Sequence, residues 1–405
     1  MPLARDILTK CFQIRKYEIT SVLEENDRIV LEIERIEASY CGKCGCVSGR
    51  YDSSCQEILI GSLNLKPIYA RAKIWRVRCY KHGVVTEAHG ISEGKKRHSK
   101  SVEKAIIKYT EKLDNQATAE LFGISKMTIY RIDLDGLSSL EEKYLSDLPK
   151  PTNLSVDEVS YKRGHSYASV ISDYKEGKVL WLEKGRSETD LKRGYNVLGD
   201  NLLNVKCVAM DLWKAFENAT KECLPDSNIV YDKFHISRLL NRAIENERRD
   251  YQKSLPDDDR KIMKKHSRWV LLKRDLNLTD KNRDHLEELK NVNKPLYEMY
   301  LLKESFLNIF DQRISKKEAK EQIITWIKET LETKFDSLKR FAKSILKRIK
   351  NILNWFSNRI SNGKAEGINN VIKTLLKRAY GYKNFEYFRL KVLQKCGMLM
   401  NYTNP

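Results

Sequence analysis

The segments Leu154-Ser-Val-Asp-Glu-Val159 and Val208-Ala-Met-Asp-Leu-Trp213 decide the fold of the central part of this chain. Each is a short apolar run that leads into an aspartate, Asp157 in the first and Asp211 in the second. Short apolar runs bounded by polar residues are typical of buried strands. The sequence therefore predicts two carboxylates at the edge of a sheet, where hard cations bind to oxygen ligands.

Three further runs extend this pattern into a complete sheet. The predicted strands cover residues 154–161, 167–173, 179–184, 205–211 and 229–231. Turns at Arg163-Gly164 and Glu176-Gly177 separate the first three, which predicts an antiparallel meander. The later strands alternate with helical segments, which predicts parallel pairing. Three antiparallel strands followed by alternating helices and strands match the order of an RNase H-like core.

A third carboxylate is Glu366 in Ser361-Asn-Gly-Lys-Ala-Glu-Gly-Ile-Asn-Asn370, on a predicted helix whose opposite face is apolar. Two-metal chemistry at phosphorus needs oxygen ligands around ions about 3.5–4 Å apart. Mg²⁺, or Mn²⁺ in its place, needs few carboxylates because water and phosphate oxygens complete its shell. We therefore predict that Asp157, Asp211 and Glu366 are catalytic metal ligands. For any one of these acids alone, a solvated or capping role is the alternative.

Asp232 and His235 in Asp232-Lys-Phe-His235 follow the last predicted strand closely enough to face the same site. His235 could position a phosphate or a metal-bound water, and Asp232 could orient the imidazole. The alternative to these roles is that Asp232 caps a helix and His235 packs beside it.

A metal knuckle is predicted nearer the N-terminus. Cys41-x2-Cys44 and Cys79-x2-His82 form two ligand pairs of the kind that bind structural Zn²⁺ tetrahedrally. Gly42 and Gly45 permit the tight turn in the first pair. Cys46 or Cys55 could replace one of these ligands, and unligated thiols are the simpler alternative.

The segment 115–132 predicts a helix-turn-helix, with Gly123 in the turn and Ser125 capping the last helix. A basic stretch precedes it. The candidate DNA-binding residues are Lys95, Lys96, Arg97, Lys126, Thr128, Tyr130 and Arg131. A generic small helical bundle is the alternative.

The composition favours a polyanionic partner. Lys and Arg number 75 against 55 Asp and Glu, for a formal charge of +20 over 405 residues. No apolar run has the length of about 18 residues needed for a membrane helix, and the N-terminus lacks the apolar core of a secretion signal. We expect a cytoplasmic, nucleoid-associated protein that binds nucleic acid and no membrane, with cysteines kept as thiols or metal ligands.

The fold class predicted is multidomain α/β. Its parts are a zinc-ribbon β region (1–92), a helix-turn-helix with linker (93–150), the first part of an RNase H-like core (151–235), an all-helical insertion (236–356) and the second part of the core with the Glu366 helix (357–405).

These motifs, in this order, resemble a bacterial insertion-sequence transposase of the zinc-ribbon-bearing insertion-sequence L-three (ISL3) family. The most specific segments are Tyr231-Asp-Lys-Phe-His235, Ser361–Asn370 and Ile372-Lys-Thr-Leu-Leu-Lys-Arg-Ala-Tyr-Gly-Tyr-Lys-Asn-Phe385. The resemblance spans nearly the whole chain.

The resemblance implies a DDE core with Asp157, Asp211 and Glu366 as metal ligands, and it strengthens the case for Asp232 and His235. It implies cleavage at terminal inverted repeats and joining of the freed 3′ hydroxyl to target DNA. A homodimer is expected because two element ends must be processed. The alternatives are a DNA-binding regulator derived from a transposase and a structure-specific RNase H-like nuclease.

Overall fold

The computed structural model describes residues 2–14, 16–94, 96–253, 267–360 and 363–402. It divides into unit one, Met1–Asp147 with Leu375–Pro405, and unit two, Leu148–Thr374. The division falls inside the segment 357–405, and the domain boundaries given above stay predictions. Lys95, Ser361 and Asn362 lie outside the described residues. Within those residues, no helix has both the length and the apolar character required to cross a membrane.

Unit one contains a five-stranded sheet. Its first elements are α1 (Pro2–Cys11), β1 (Tyr17–Glu25), β2 (Arg28–Arg35), β3 (Gly49–Leu63), β4 (Lys66–Cys79) and β5 (Gly83–Thr86). The order is β1-β2-β4-β3, and β5 pairs with β4. β1 and β2 form an antiparallel hairpin whose turn contains Asn26 at φ +50°. Alternate residues such as Ile19, Leu31 and Ile58 are buried together, so one face of this sheet supplies an apolar core.

Three helices follow the sheet in unit one: α2 (Lys100–Thr110), α3 (Asn115–Phe122) and α4 (Lys126–Ser146). Gly123 ends α3 in the left-handed conformation at φ +62°, which suits glycine because it has no Cβ. The Ser125 side chain accepts a hydrogen bond from the Thr128 N–H and caps α4. Ala119, Phe122 and Ile129 pack in one core. These observations confirm the helix arrangement, the glycine turn and the serine cap predicted from the sequence.

Unit two is built on a second five-stranded sheet. Its elements are β6 (Asn153–Lys162), β7 (Ser166–Asp173), β8 (Lys178–Lys184), α5 (Glu188–Leu198), β9 (Cys207–Met210), α6 (Lys214–Cys223) and β10 (Asn228–Tyr231). The order is β10-β9-β6-β7-β8. β6, β7 and β8 are antiparallel neighbours, whereas β9 lies parallel to β6 and to β10. The predicted meander and parallel pairs are confirmed.

After β10, the chain of unit two forms a series of helices. These are α7 (Lys233–Lys253), α8 (Ser267–Leu272), α9 (Asp280–Val292), α10 (Lys294–Asp311), α11 (Lys316–Glu332) and α12 (Asp336–Asn358). The described part of 236–356 is helical, as predicted. The Phe306 ring centroid lies 4.5 Å from that of Trp326 and 5.4 Å from that of Phe341. The Asn354 amide donates to the Ile229 carbonyl at 2.8 Å, so α12 is fastened directly to β10.

Two further α-helices follow, α13 (Gly363–Arg378) and α14 (Phe385–Cys396), and a short 3-10 helix covers Leu399–Tyr402. Glu366 lies in the first turn of α13, where a carboxylate interacts favourably with the helix dipole. α14 belongs to unit one, where Lys391 donates to the carboxylate of Asp133 at 2.9 Å and to the Thr110 carbonyl at 2.7 Å. Because Lys391 and Asp133 are both buried, this pair fixes α14 against the helix-turn-helix.

Candidate active site and cysteine cluster

Asp157 and Asp211 are brought together by the parallel pairing of β6 with β9. Val156 lies opposite Met210 in the register, so the two aspartates occupy the next position on neighbouring strands. Burial, and then the negative charge of Asp211, raises the pKa of Asp157 to about 7. A buried carboxylate whose charge is opposed by a neighbouring carboxylate is stabilised by a bound cation.

Asn369 holds Asp157 in place. Its Nδ2 donates to Asp157 Oδ2 at 2.7 Å, while the backbone N–H of Glu158 donates to Asp157 Oδ1 at 2.7 Å. Asn369 is 8% exposed, and its Oδ1 is buried with no hydrogen-bond partner among the described residues. Asn369 is one helical turn beyond Glu366, so a single helix carries the third acid and the residue that orients the first.

Asp232 and His235 join Asp211 at the same sheet edge. One ligand atom from each of these three residues lies within 4.8 Å of the other two. His235 Nδ1 faces Asp211 Oδ1. Asp232 is 4% exposed, and its Oδ1 accepts a hydrogen bond from the Phe234 N–H at 3.3 Å. Asp232 therefore caps α7 and presents a carboxylate to the cluster. The imidazole of His235 faces Asp211, and the predicted role of Asp232 in orienting it stays a prediction.

One cavity of about 530 Å³ contains all five predicted acidic and histidine residues. Its lining includes Asp157, Glu158, Asp211, Asp232, Lys233, Phe234, His235, Arg238, Glu366, Asn369, Asn370 and Lys373. Glu366 is exposed on its helix and lines this cavity. The structure therefore brings the predicted residues together, and their catalytic roles stay predictions.

The donor set of the cavity fits divalent cations such as Mg²⁺ or Mn²⁺. Carboxylate oxygens from Asp157, Asp211, Asp232 and Glu366 are the ligands that hard ions prefer, and an imidazole is compatible with Mn²⁺. The unpartnered Oδ1 of Asn369 adds a neutral oxygen for an ion or an ion-bound water.

The second candidate metal centre lies in unit one. Sulfur atoms of Cys41, Cys44, Cys46 and Cys79 all lie within 4.8 Å of one another. The Cys44–Cys46, Cys46–Cys79 and Cys44–Cys79 Sγ separations are 3.1, 3.5 and 3.6 Å. Sulfurs at about 2.3 Å from a tetrahedral Zn²⁺ are about 3.8 Å apart, so this cluster is compatible with zinc.

His82 is a fifth donor beside this cluster. Its Nδ1 lies 3.7 Å from Cys41 Sγ and 3.6 Å from Cys79 Sγ. Although burial acts in the opposite direction, hydrogen bonds from the Lys81 N–H and from His82 lower the pKa of Cys79 to about 5. Cys46, considered above as a substitute ligand, lies in the cluster.

Cys55 is also placed by the structure. It is exposed on β3 and opposite Lys73, and it does not belong to the four-sulfur group. The sequence spacing predicted three of the four clustered cysteines. It did not rank Cys46 above His82 because the C-x2-C pair already supplied two thiolates.

The predicted DNA-binding residues occupy varied environments in unit one. Lys126 and Arg131 are exposed on α4, and Arg97 is exposed in the segment before α2. Lys96 pairs with Glu103 at 2.7 Å. Tyr130 packs edge-on against Tyr387 at 4.8 Å between centroids and accepts a hydrogen bond from Asn384, so part of its surface is used within the unit.

The comparisons with known proteins identify the family. Residues 154–392 match the model of the ISL3 transposases, whose description is "Transposase". This chain belongs to the ISL3 family of insertion-sequence transposases. The match covers more than half of the chain and contains all the residues that line the cavity of unit two.

Curated relatives of this transposase agree with that assignment. It is 32% identical over 283 residues to the transposase for insertion sequence element IS1001 of Bordetella parapertussis, a match that covers 68% of each chain. It is 23% identical over 369 residues to the transposase for IS1557 of Mycobacterium tuberculosis, which covers 85% of this chain and 82% of the relative.

Among solved structures, the chain is similar to the Drosophila P element transposase strand transfer complex, at a TM-score of 0.36 and 9% identity. That match covers 74% of this chain and 92% of the other. A TM-score of this size carries no conclusion about a shared fold.

Proposed function

We propose that this transposase binds the terminal inverted repeats of its own element and catalyses cleavage and joining of DNA strands. The observation that carries the proposal is the convergence of Asp157, Asp211 and Glu366 on one cavity from a strand, a strand end and a helix far apart in sequence. Family membership supports the coarser statement, a DNA-cleaving and DNA-joining enzyme. We propose an RNase H-like core because β10-β9-β6-β7-β8 combines a meander with two parallel strands.

The proposed metal ligands are Asp157, Asp211 and Glu366. Two divalent cations bound there supply activation of the attacking water or hydroxyl and stabilisation of the leaving oxygen. The chain's own side chains prepare the site: Asn369 orients Asp157, and His235 lies against Asp211. An outer hydrogen bond such as the one that Asn369 donates fixes the direction of a ligand's lone pairs.

Cationic side chains would hold the DNA backbone at the cavity. Arg238 on α7 and Lys373 on α13 are exposed and line the cavity beside the carboxylates. Positive charges at this position offset the repulsion between the acidic site and the phosphates of the strand.

The remaining parts of the proposal concern unit one and assembly. The helix-turn-helix, with Lys126, Thr128, Tyr130 and Arg131 on α4 and Lys96 and Arg97 before α2, would contact the element's end. The cysteine cluster would hold a structural Zn²⁺. We propose a homodimer at the bacterial nucleoid, because each of two ends must meet an active site.

A cleavage assay tests the proposed function. The full chain is incubated with Mg²⁺ and a duplex that carries the boundary between the element and its flanking genomic DNA. We expect nicking at the repeat end, and we expect Asp211→Asn and Glu366→Gln each to slow it by at least about 1,000-fold, because a metal ligand contributes several kcal/mol to the transition state.

The matched control is Asp226→Asn, which changes an exposed acid between α6 and β10 in the same unit. It should cleave at the wild-type rate. Binding of the duplex without any metal-dependent cleavage would favour the DNA-binding regulator instead. Equal cleavage of branched DNA without repeat sequences would favour the structure-specific nuclease.

A further inference from the structure

Phe234 is an exposed aromatic residue inside the candidate active site. It lines the same cavity as the three carboxylates, and 58% of its surface is accessible. It stands between Asp232 and His235 at the start of α7. The other side chains that line the cavity are polar or charged, so this ring is the apolar surface of the described lining.

Packing of α7 does not account for this ring. The buried stripe of the helix includes Ile236, Leu240, Ala243 and Ile244, and Phe234 lies outside it. The neighbouring ring is that of His235, with centroids 5.8 Å apart and planes tilted by 52°. With 58% of its surface accessible, the Phe234 ring is open to contact with a flat ligand.

The charges around Phe234 indicate what kind of ligand that is. Arg238 follows it at i+4, on the same face of α7, and is exposed in the cavity. Lys373 lines the cavity from α13. Lys233 differs, since its ammonium pairs with Asp311 outside the lining. An aromatic face with cations one turn away is the combination that holds a base and its phosphate in single-stranded nucleic acid.

We propose that Phe234 stacks on an unpaired nucleobase next to the scissile phosphate, while Arg238 contacts an adjacent phosphate. This inference rests on the proposed function, because it assigns a substrate feature to the same site. The base must be unpaired because both of its faces are covered inside a stacked duplex. The stacked base fixes the strand so that the scissile phosphate meets the carboxylates.

Cleavage rates of modified DNA test the stacking. The substrates are the intact boundary duplex and duplexes with one abasic nucleotide at each position beside the scissile phosphate. For the wild-type chain, one abasic position should slow single-turnover cleavage roughly 5- to 100-fold, the range expected for losing one base–aromatic stack. Phe234→Ala should show a similar loss on intact DNA and no additional loss at that abasic position.

Further variants separate stacking from bulk. Phe234→Trp should keep a cleavage rate within a few-fold of wild type. Phe234→Leu keeps apolar bulk but has no flat ring to stack on a base, so it should be as slow as Phe234→Ala. The control Leu276→Ala, at an 81% exposed apolar residue of unit two, should leave the rate unchanged. Wild-type rates for Phe234→Leu, or losses that multiply when variant and abasic site are combined, would overturn the inference.

A binding measurement decides the stacking without cleavage. The nucleotide at the position where an abasic site slows cleavage, or at each candidate position in turn, is replaced with 2-aminopurine. The protein then binds this DNA strand without metal. Wild-type protein should quench its fluorescence, and Phe234→Ala should not. Equal fluorescence with both proteins would reject the stacking even if cleavage is observed. Quenching that depends on Phe234 without cleavage at any end would uphold the base stacking alone and reject the proposed function.

Discussion

The two candidate metal sites of this transposase differ in how the chain assembles them. The cysteine cluster of unit one takes its sulfurs from two short segments, one at Cys41–Cys46 and the other at Cys79 at the end of β4. The acidic cavity of unit two takes its oxygens from β6, from the ends of β9 and β10, and from α13. Local turns form the first site, whereas sheet order and helix packing form the second.

The chemistry of the two sites differs accordingly. Four sulfurs packed against one another can complete a tetrahedral shell, which is the property of a structural ion. Carboxylates that line an open cavity leave coordination positions for water and phosphate, which is the property of a catalytic site. We expect loss of the first site to affect stability and loss of the second to affect activity.

The largest expected effect is on activity at unit two. Asp157→Asn should reduce strand cleavage by at least about 1,000-fold because a metal ligand is lost. The same change should raise the melting temperature of the metal-free protein at pH 8 by about 2–6 °C. Differential scanning fluorimetry beside the cleavage assay measures both.

The sign of that stability change follows from the Asp157 pKa, which is about 7 in the folded protein and therefore above its ordinary value. Between about pH 4 and 7 the folded state holds a proton that the unfolded state has lost, so the metal-free protein loses stability as pH rises through this range. The amide of the Asp157→Asn variant does not titrate, so the variant does not lose this stability as the pH rises. A wild-type protein whose metal-free stability does not fall between about pH 4 and 7 would show that burial and Asp211 do not raise the pKa of this carboxylate.

The next effect is on zinc and stability at unit one. Cys41→Ser combined with Cys79→Ser should remove bound zinc, from about one ion per chain to near zero, and should lower the unfolding temperature of unit one, because both sulfurs are buried at the end of its sheet. Elemental analysis measures the bound zinc, and limited proteolysis at increasing temperature measures the unfolding of unit one. The matched control, Cys55→Ser, should retain zinc. Absence of zinc from the wild-type chain would reject the proposal that the cysteine cluster of unit one binds a structural ion.

A smaller effect is expected from the residue that orients Asp157. Asn369→Ala should lower cleavage by about 10- to 100-fold and raise the Mg²⁺ concentration needed for half-maximal rate, as loss of an outer hydrogen bond does at metal sites. The exposed Asn204→Ala in the same unit is the control. A reduced rate with unchanged Mg²⁺ dependence would assign Asn369 a packing role.

The smallest effect distinguishes the two competing zinc donors. Cys46→Ser should weaken zinc retention against a chelator more than His82→Ala, because Cys46 belongs to the four-sulfur group while His82 contacts two of its members. Competition with a chromogenic chelator gives the two affinities. The reverse order would make the site Cys₃His, with Cys46 beside it.

The sequence predicted the sheet of unit two well because its signals are local. Apolar runs and the turns at Gly164 and Gly177 predict three antiparallel strands, and the structure extends each by one residue at one or both ends. The predicted strand 205–211 is shorter in the structure, where β9 covers Cys207–Met210. The structure places Asp157 within β6, whose pairing continues to Lys162, and places Asp211 directly after β9. The parallel pairing of β6 with β9 then brings the two aspartates together. The position of Glu366 on a helix was predicted from the helical spacing of apolar residues in its own segment.

The residues that the sequence did not reveal act through tertiary contacts. Asn369 becomes informative once α13 is placed over β6, since its amide then meets Asp157; its spacing of three residues from Glu366 was the available signal. Phe234 reads as an ordinary packing residue in sequence, and its exposure in the cavity is visible in the folded structure.

The central claim is that three acids from distant segments hold paired divalent ions. Crystals of the full chain with a boundary duplex, grown in Mn²⁺ and measured at an anomalous wavelength, test it directly. We expect two manganese peaks about 3.5–4 Å apart, ligated by Asp157, Asp211 and Glu366. Manganese bound elsewhere, or a site that excludes Glu366, would contradict it.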